Sequence, residues 1–453
     1  MTAVFYALGV LIFVVAILVS IGLHELGHMI PAKRFGGKVT QYFIGFGPTV
    51  WSKQVGETEY GVKAIPLGGF VKIVGMLPPG AEQLVDDTET DADGNTVHRV
   101  RKSNTGMFTQ LISDARAAEW ELVGPDDAER LFYKLPWWKK VVVMAGGPSV
   151  NIAIAFFIFW GVFATYGQKS VEPEPGPPTL QAISQCVLPY AEEGRACAPS
   201  DPPAPAFEAG LRPGDTITSF NGVPVTDWAQ LKVLIQDNDD GRAVIGYDRD
   251  GVAMSGETST TVEARPTSVT DETLRQVGFL GVTPTSRVVT ETGGPIYTLD
   301  QMGDMTVETL RALVTLPVKV WGVAEAIVGV EERAADSPVS IVGGGRLAGE
   351  TVSHQEFPVT EKVVFLLMLV AGFNFFIGMF NFLPLLPLDG GHIASALWEA
   401  LRRGFARLRG RPDPGYVDAA RLLPLAYVVA SAFLVMGVVL IVGDLVVPLS
   451  LEG

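Results

Sequence analysis

The stretch His24-Glu25-Leu26-Gly27-His28 decides the fold, because it places three ionisable side chains at the end of a long apolar segment. Residues 3 to 23 contain no charged side chain, and about 20 apolar residues span a bilayer as a helix. Side chains four residues apart lie on one face of a helix, so His24 and His28 are suited to bind one metal ion. Glu25 then lies close by as a general base. The stretch therefore predicts a zinc-hydrolase helix built into a membrane span.

A packing role is the alternative for this motif, since a short His-Glu-x-x-His match also arises by chance. In that alternative the two histidines are satisfied by hydrogen bonds, and the glutamate is capped at a helix end. An ionisable residue inside a span costs ~2.5 kcal/mol or more and is by default functional. Three such residues in this short stretch therefore favour a metal site over packing.

The composition indicates a membrane protein with soluble parts. Hydrophobic residues make up 48% of the 453-residue chain, and the mean hydropathy is +0.29. The formal net charge of -15 argues against a nucleic-acid partner and against a surface that binds acidic lipids. No Lys or Arg precedes the first apolar run, and no small-residue cleavage site follows it. We therefore expect this run to stay as a helix and not to act as a signal peptide.

Hydropathy predicts four transmembrane spans, at about 3–30, 141–165, 363–388 and 422–442. Cationic residues flank them: Lys33 and Arg34 follow the first span, Lys139 and Lys140 precede the second, and five arginines lie in a basic loop at 393–420. By the positive-inside rule these flanks are cytoplasmic, so both termini face outward. The predicted location is the plasma (inner) membrane, crossed several times, with the metal site in the bilayer near its cytoplasmic side.

A catalytic zinc site uses three protein ligands, so a third ligand must come from elsewhere in the chain. Asp389 is the best candidate, in the segment Asn381-Phe-Leu-Pro-Leu-Leu-Pro-Leu-Asp389-Gly-Gly-His392. The prolines and glycines of this segment break the helix, and irregular backbone at membrane depth is tolerated where it is buried in protein or lines a cavity. The alternative is a helix stop at which Asp389 is a capping residue.

Together, these two segments resemble the site-2 protease family of intramembrane zinc metalloproteases, in its bacterial regulator-of-sigma-factor type with a single PDZ domain. The resemblance implies that His24, His28 and Asp389 are the zinc ligands and that Glu25 is the catalytic base.

The family pattern Asn-x-x-Pro-x-Pro-x-Leu-Asp-Gly is matched at Asn381, Pro384 and Asp389, whereas Pro387 comes one place late. By this resemblance Asn381 and Pro384 are carried over as substrate-binding residues. A polar Asn in a span also serves as a contact between helices, and for Asn374 that is the favoured interpretation.

Two further segments resemble elements of the same family. Residues 145–151, Ala-Gly-Gly-Pro-Ser-Val-Asn151, are similar to its Gly-Pro-x-x-Asn element. Asn151 is then a candidate substrate-binding residue that polarises or positions a group at the site, and helix packing is the alternative. Residues 60–76 resemble the family's membrane-associated β-hairpin, within a region at 36–79, and suit two short strands with a turn. Its edge is suited to pair with an unwound substrate, and an ordinary hairpin is the alternative.

The region at about 167–360 is predicted to lie outside the cell. Residues 206–222 resemble a bacterial PDZ domain, placed at about 175–268, which implies binding of peptide ends along a sheet edge. Residues 305–329 are predicted to form an amphipathic helix at the outer interface and not a fifth span. The sequence leaves open whether Cys186 and Cys197 form a disulfide. Residues 80–135 are interpreted as an acidic cytoplasmic loop.

The predicted fold class is a polytopic α-helical membrane protein with four transmembrane helices, a membrane-associated β-hairpin and an extracytoplasmic PDZ (α+β) domain. The predicted function is zinc-dependent endoproteolysis of single-span membrane proteins inside the bilayer. The resemblance implies anti-sigma factors as substrates, after a first cut outside the membrane. An inactive scaffold that presents its PDZ module is one alternative. A metal transporter is a second, although transporters more often scatter such residues over several spans.

Overall fold

The computed structural model describes residues 2–78, 88–90, 96–98, 107–120, 123–124, 127–190, 195–239, 241–268 and 271–449. Most of the acidic segment at 86–93 lies outside these residues. The chain divides into two compact units. We call Met1–Tyr166 with Gly293–Gly453 the helical unit, and Gly167–Thr292 the inserted unit.

The first part of the helical unit contains α1 (Thr2–Arg34), β1 (Val39–Val55), β2 (Thr58–Ile73), β3 (Thr88–Thr90), β4 (Thr96–His98), α2 (Met107–Trp120) and α3 (Trp137–Thr165). The inserted unit contains β5 (Gln168–Pro173), β6 (Leu180–Ile183), α4 (Pro205–Glu208), β7 (Thr216–Phe220), β8 (Val223–Pro224), α5 (Trp228–Gln236), β9 (Arg242–Arg249), β10 (Val252–Ser259), β11 (Thr261–Ser268), β12 (Asp271–Phe279), β13 (Val282–Pro284) and β14 (Ser286–Glu291). The helical unit then continues with α6 (Pro295–Ile327), α7 (Ile341–Ser353), α8 (Val359–Asn381), α9 (Asp389–Leu408) and α10 (Leu423–Val446). Short 3-10 helices at Phe132–Lys134 and Ala419–Leu422 precede α3 and α10.

Four helical segments in the described residues are long and apolar enough to cross a membrane: Thr2–Arg34, Trp137–Thr165, Val359–Asn381 and Ala419–Val446. They correspond to the four predicted spans. The third ends earlier than its predicted limit of 388, because Pro384 and Pro387 lack the backbone N–H groups that a continuing helix needs. Residues 382–388 form a loop, and α9 begins at Asp389.

The segment predicted as an amphipathic helix at 305–329 falls within α6, which runs from Pro295 to Ile327. Charged residues interrupt its apolar side chains, and α6 is not among the candidate spans of the described chain. Its helical form agrees with the prediction, whereas its place at the outer interface stays a prediction.

Two predicted loops contain helices. α2 lies within the segment interpreted as an acidic loop at 80–135, and Arg116 on α2 pairs with Asp418. The basic loop predicted at 393–420 is mostly α9, whose apolar residues recur at helical spacing. The charge of these two segments suggested loops, whereas the spacing of their apolar residues favours helices. Both segments still lie between candidate spans.

The strands β1 and β2 extend the hairpin prediction. Thr58–Ile73 forms a single strand element whose partner is Val39–Val55, a segment before the predicted residues 60–76. The chain reverses at Gly56, which has a φ of +62°, a conformation that glycine adopts without strain. Phe43 pairs with both Gly61 and Phe70, and Ile44 pairs with both Val62 and Gly69, so two short segments of β2 flank β1 on its two edges and the chain turns between them.

Glycines on both helices, which have no side chain, allow α1 and α3 to approach closely. A Cβ atom on Gly146 would lie 2.0 Å from the carbonyl oxygen of Gly27, and one on Gly27 would lie 2.5 Å from that of Gly146. Neither position has room for a side chain. Small residues are typical of such close crossings between membrane helices, and this crossing places α3 directly beside His28.

The inserted unit is built around the four-stranded sheet β10-β9-β7-β8. Leu231 and Ile235 of α5 pack into its core with Ile217 and Ile245. The predicted PDZ boundaries, 175–268, are shorter than this unit, because β13 pairs with β6. Cys186 and Cys197, whose pairing the sequence left open, form a disulfide with their Cα atoms 6.0 Å apart.

Candidate metal centre

Three side chains from two helices converge near the C-terminal end of α1, the end that is predicted to face the cytoplasm. Nε2 of His24 and Nε2 of His28 are 3.2 Å apart. Oδ2 of Asp389 lies 3.5 Å from the first and 3.4 Å from the second. One helical turn separates the two imidazoles, and α9 supplies the carboxylate from its first residue. The structure therefore brings together the three residues that the sequence singled out.

The triangle of donor atoms fits a zinc ion. Ligand atoms held about 2.0 to 2.1 Å from a tetrahedral zinc lie ~3.3 to 3.4 Å from one another, and the three observed separations are 3.2, 3.4 and 3.5 Å. Two imidazole nitrogens and one carboxylate oxygen also form a common donor set of catalytic zinc sites. Three protein ligands leave the fourth position free for water or substrate.

A backbone carbonyl of α3 orients one ligand. Nδ1 of His28 lies 2.8 Å from the carbonyl oxygen of Val143. A carbonyl only accepts hydrogen bonds, so Nδ1 carries the proton and the lone pair of Nε2 faces the other two donors. Such outer partners fix the tautomer and the ring orientation of metal ligands. Sequence reasoning missed Val143, because a backbone acceptor leaves no trace in residue type.

Gly147 of α3 lies directly against both imidazoles. A Cβ atom at this position would be 2.3 Å from Nε2 of His28 and 2.8 Å from Nε2 of His24. The small residues of the segment 145–151 suggested close helix contact, but they did not reveal that Gly147 faces His24 and His28. The absence of a side chain here keeps the donor triangle open.

Glu25 lines the same cavity as the three donors. Gly69 on β2 lies beside it, since a Cβ atom there would be 3.0 Å from Cγ of Glu25. The strand β2 thus passes next to the predicted general base, with Gly68, Phe70 and Val71 also lining the cavity. A peptide that enters this cavity therefore meets β2 and Glu25 together.

The cavity has a volume of about 540 Å³. Its lining includes Asn151 and Asn381, two of the predicted substrate-binding residues, and also His392 and Pro387. Asn151 is 3% exposed, and its Oδ1 atom has no hydrogen-bond partner within the described chain. A buried amide oxygen without a partner costs free energy unless a ligand or water satisfies it. Asn151 is therefore available to a bound molecule.

Pro384 does not lie in this cavity. It lines a separate cavity of about 230 Å³, with Gly391 and Trp398 among its neighbours. The prediction that Pro384 binds substrate is therefore not supported by its position. Pro384 instead follows the end of α8, where a residue without a backbone N–H cannot continue the helix.

Buried polar contacts hold the surrounding helices in place. Nδ2 of Asn374 on α8 donates to Oγ of Ser20 on α1, at 3.0 Å, as expected for a contact between helices. Nζ of Lys140 on α3 lies 2.8 Å from Oε2 of Glu399 on α9. Lys140 and Glu399 are buried. This ion pair connects the helix that orients His28 to the helix that begins with Asp389.

Known proteins are similar in sequence to most of this chain. A model described as peptidase family M50 matches residues 12–412. The chain is 34% identical to zinc metalloprotease Rip1 of Mycobacterium tuberculosis, over 98% of this chain and 99% of the relative. It is 33% identical to zinc metalloprotease Rip1 of Mycolicibacterium smegmatis, with the same coverage of 98% and 99%. It is 24% identical to regulator of sigma-W protease RasP of Bacillus subtilis, over 87% of this chain and 90% of the relative.

Proposed function

We propose that His24, His28 and Asp389 hold the zinc ion of this protein, because the chain belongs to peptidase family M50, the site-2 protease family. It is a zinc-dependent intramembrane protease of regulated intramembrane proteolysis. We further propose Glu25 as the general base. The observation that best supports this assignment is the triangle of donor atoms, with sides of 3.2, 3.4 and 3.5 Å, which opens into the cavity that Glu25 lines.

Bound zinc supplies Lewis-acid activation of the scissile carbonyl and of the attacking water. Glu25 accepts a proton from that water as its oxygen bonds to the carbonyl carbon. The same carboxyl group then gives the proton to the peptide nitrogen as the C–N bond breaks. The Val143 carbonyl keeps the Nε2 lone pair of His28 directed at the site. Asn151 and Asn381 bind the substrate backbone from the cavity wall.

The substrate is a transmembrane segment that is unwound before it is cut. A helix hides its carbonyl groups in hydrogen bonds, so helix-weakening residues near the cut favour cleavage. The strand β2 passes beside Glu25 and is suited to receive the unwound segment by strand addition. In this proposal β1 and β2 lie in the membrane, where the exposed side chains of Phe46, Trp51 and Ile65 contact lipid.

This multi-pass plasma-membrane protein has both termini outside the cell in our proposal, with the metal centre near the cytoplasmic side. Lys33, Arg34 and the arginines at 402–411 support this orientation. Its substrates are then single-span proteins that release a cytoplasmic part. The printed name of the Bacillus relative, regulator of sigma-W protease, supports anti-sigma factors as the substrate class.

The inserted unit acts as a PDZ domain in this proposal. A groove of about 180 Å³ lies between α5 and residues 277–282, and Trp228, Lys232 and Ile235 line its helical side. An extended peptide end in this groove would lie between a helix and a strand, as PDZ ligands do. This groove could not be located from the sequence, because residues of α5 and of 277–282 meet only in the folded unit.

The variant Glu25→Gln tests the catalytic assignment. We expect the purified full-length variant to bind zinc at the wild-type stoichiometry but to leave a model transmembrane substrate intact, because the amide cannot accept the proton from water. Metal analysis and mass spectrometry of the products measure both properties. Glu332→Gln, an exposed position with the same chemical change, is the control and should cut normally. Cleavage by Glu25→Gln at the wild-type rate would show that another residue is the base.

A further inference from the structure

The helix α9 has two unlike faces. Gly390 and Gly391 are buried in its first turn, and Ala396 and Glu399 are buried on one face of its later turns. The opposite face of these later turns carries five large apolar side chains that are 44–83% exposed: Leu397, Trp398, Leu401, Phe405 and Leu408. Their helical spacing makes one continuous apolar stripe, which the described part of the chain leaves uncovered. We call this stripe and the arginines beside it the α9 surface.

Positive charge is concentrated at the end of this stripe. Five arginines lie between residues 402 and 411, and no acidic residue occurs from 400 to 412. Arg403 pairs with Glu399 and Asp413. Arg407, Arg409 and Arg411 are exposed, and none of the ion pairs in the described residues involves them. The local charge is therefore strongly positive, so the whole-chain net charge of -15, which argued against a surface that binds acidic lipids, does not describe this helix.

The position of α9 fixes the environment of this surface. The helix begins at Asp389, among the transmembrane helices. Glu399 is ten residues further on, or ~15 Å along a helix, and pairs with Lys140 near the first residue of α3. α9 thus runs from the metal centre toward the end of α3 that is flanked by cations. In the topology proposed above, that end is the cytoplasmic edge of the bilayer.

We propose that the α9 surface binds anionic phospholipids of the cytoplasmic leaflet. The apolar stripe lies against the acyl chains, and Arg407, Arg409 and Arg411 contact the phosphate headgroups. Guanidinium groups form charge-assisted hydrogen bonds with phosphate. An apolar stripe beside clustered arginines is typical of helices that lie at anionic membrane surfaces. This proposal rests on the proposed topology and not on the catalytic roles.

Lipid quenching of Trp398 tests the proposal in the full-length protein. The protein is reconstituted in phosphatidylcholine vesicles that contain a fixed fraction of brominated lipid, carried either on phosphatidylglycerol or on phosphatidylcholine. Bromine quenches nearby indole fluorescence, and subtraction of the Trp398→Phe signal isolates this one residue. We expect brominated phosphatidylglycerol to quench Trp398 at least about twofold more strongly, because arginines enrich anionic lipid around the helix. High salt should reduce the difference.

In the triple variant Arg407→Gln, Arg409→Gln and Arg411→Gln, both brominated lipids should quench the fluorescence of Trp398 equally. The control is the same change at Arg212, Arg242 and Arg287, exposed arginines of the inserted unit, and it should keep the wild-type preference. Equal quenching of the wild-type protein by both lipids would overturn the proposal, as it would show contact with acyl chains only. No quenching by either lipid would also overturn it, because α9 would then lie outside the bilayer. The readout needs no proteolysis, so a failed catalytic assignment leaves it unaffected.

Discussion

Asp389 in the helical unit and Asp215 in the inserted unit are both enclosed aspartates, but their partners differ. Asp215 is 1% exposed and receives hydrogen bonds from Nε and Nη2 of Arg249, at 2.7 and 2.9 Å, and from the backbone N–H of Arg212, at 2.7 Å. Its charge is balanced within the protein. Asp389 instead faces two imidazoles, and His28 directs a lone pair toward it.

The difference shows how a structural carboxylate is told apart from a functional one. A carboxylate that an arginine balances needs nothing further. Three donor atoms that converge in this way need a shared proton or a cation between them, because lone pairs directed at each other repel. In our proposal a metal ion supplies this positive charge in the helical unit, whereas Arg249 balances Asp215 in the inserted unit.

Substitution of Asp389 should have the largest effect. We expect Asp389→Ala to lower zinc affinity by more than ~100-fold and to abolish cleavage, since loss of a ligand exceeds the 10- to 100-fold effect typical of outer partners. Competition with a chelator gives the affinity. Asp215→Ala is the matched control and should retain full zinc content. Equal zinc affinity of both variants would remove the distinction between the two aspartates.

The substitution Gly147→Ala should have the second-largest effect on zinc binding. The added methyl group would lie 2.3 Å from Nε2 of His28, so we expect the imidazoles to move apart and zinc affinity to fall by roughly 10- to 100-fold. Gly161→Ala lies on the same helix, where a Cβ meets nothing within 4 Å, and it should bind zinc normally. Should both variants bind zinc alike, α3 would not pack against the metal ligands as described.

The pair of Lys140 and Glu399 extends the comparison to a buried ion pair without a metal. We expect Glu399→Gln to destabilise the helical unit by about 3 to 5 kcal/mol, because it leaves Lys140 as a buried unpaired charge. The midpoint of thermal unfolding in detergent measures this loss. Glu350→Gln, which breaks the more exposed pair with Arg346, should cost only ~0 to 1 kcal/mol. Similar losses for both would contradict the burial of Glu399.

The smallest effect concerns the pH dependence of the inserted unit. Burial raises the pKa of Asp215, but the Arg249 guanidinium and the Arg212 amide outweigh it and hold the pKa below its usual range. The carboxylate therefore stabilises the unit above the unfolded pKa of ~3.9, and this stabilisation is lost as the pH falls through the lowered folded pKa. The protection factors for hydrogen exchange of β7 and β9, which correct for the slower intrinsic exchange in acid, should fall as the pH is lowered in the full-length protein, and Asp215→Asn should show a weaker pH dependence. An unchanged pH dependence in that variant would contradict this.

The sequence predicted the spans and the convergence of distant residues well, for a clear physical reason. A long apolar segment is stable in lipid as a spanning helix, and an ionisable residue within such a segment needs a partner inside the protein. Asp389 was found because the metal motif required a third ligand. The roles proposed for Glu25 and the three metal ligands stay predictions until the variants above are measured.

Features that depend on pairing between distant segments were harder to predict. The partner of β2 is Val39–Val55, a segment before the residues in which the sequence indicated two short strands and a turn. Pro384 matched a sequence pattern but lies in another cavity. The contacts of Gly147 and of the Val143 carbonyl with the histidines arise only when α3 crosses α1. Residue type alone carries no record of such crossings.

The three donor atoms of the triangle belong to parts of the chain that the ribosome makes at different times. Two of its corners come from α1, near the start of translation, and the third comes from Asp389, after the inserted unit and α8. A ribosome-bound chain that ends before Asp389 has only two of the three donors that a catalytic zinc site uses. With the zinc ligands proposed above, the enzyme would therefore stay inactive until Asp389 has been synthesised, which protects neighbouring nascent proteins from cleavage.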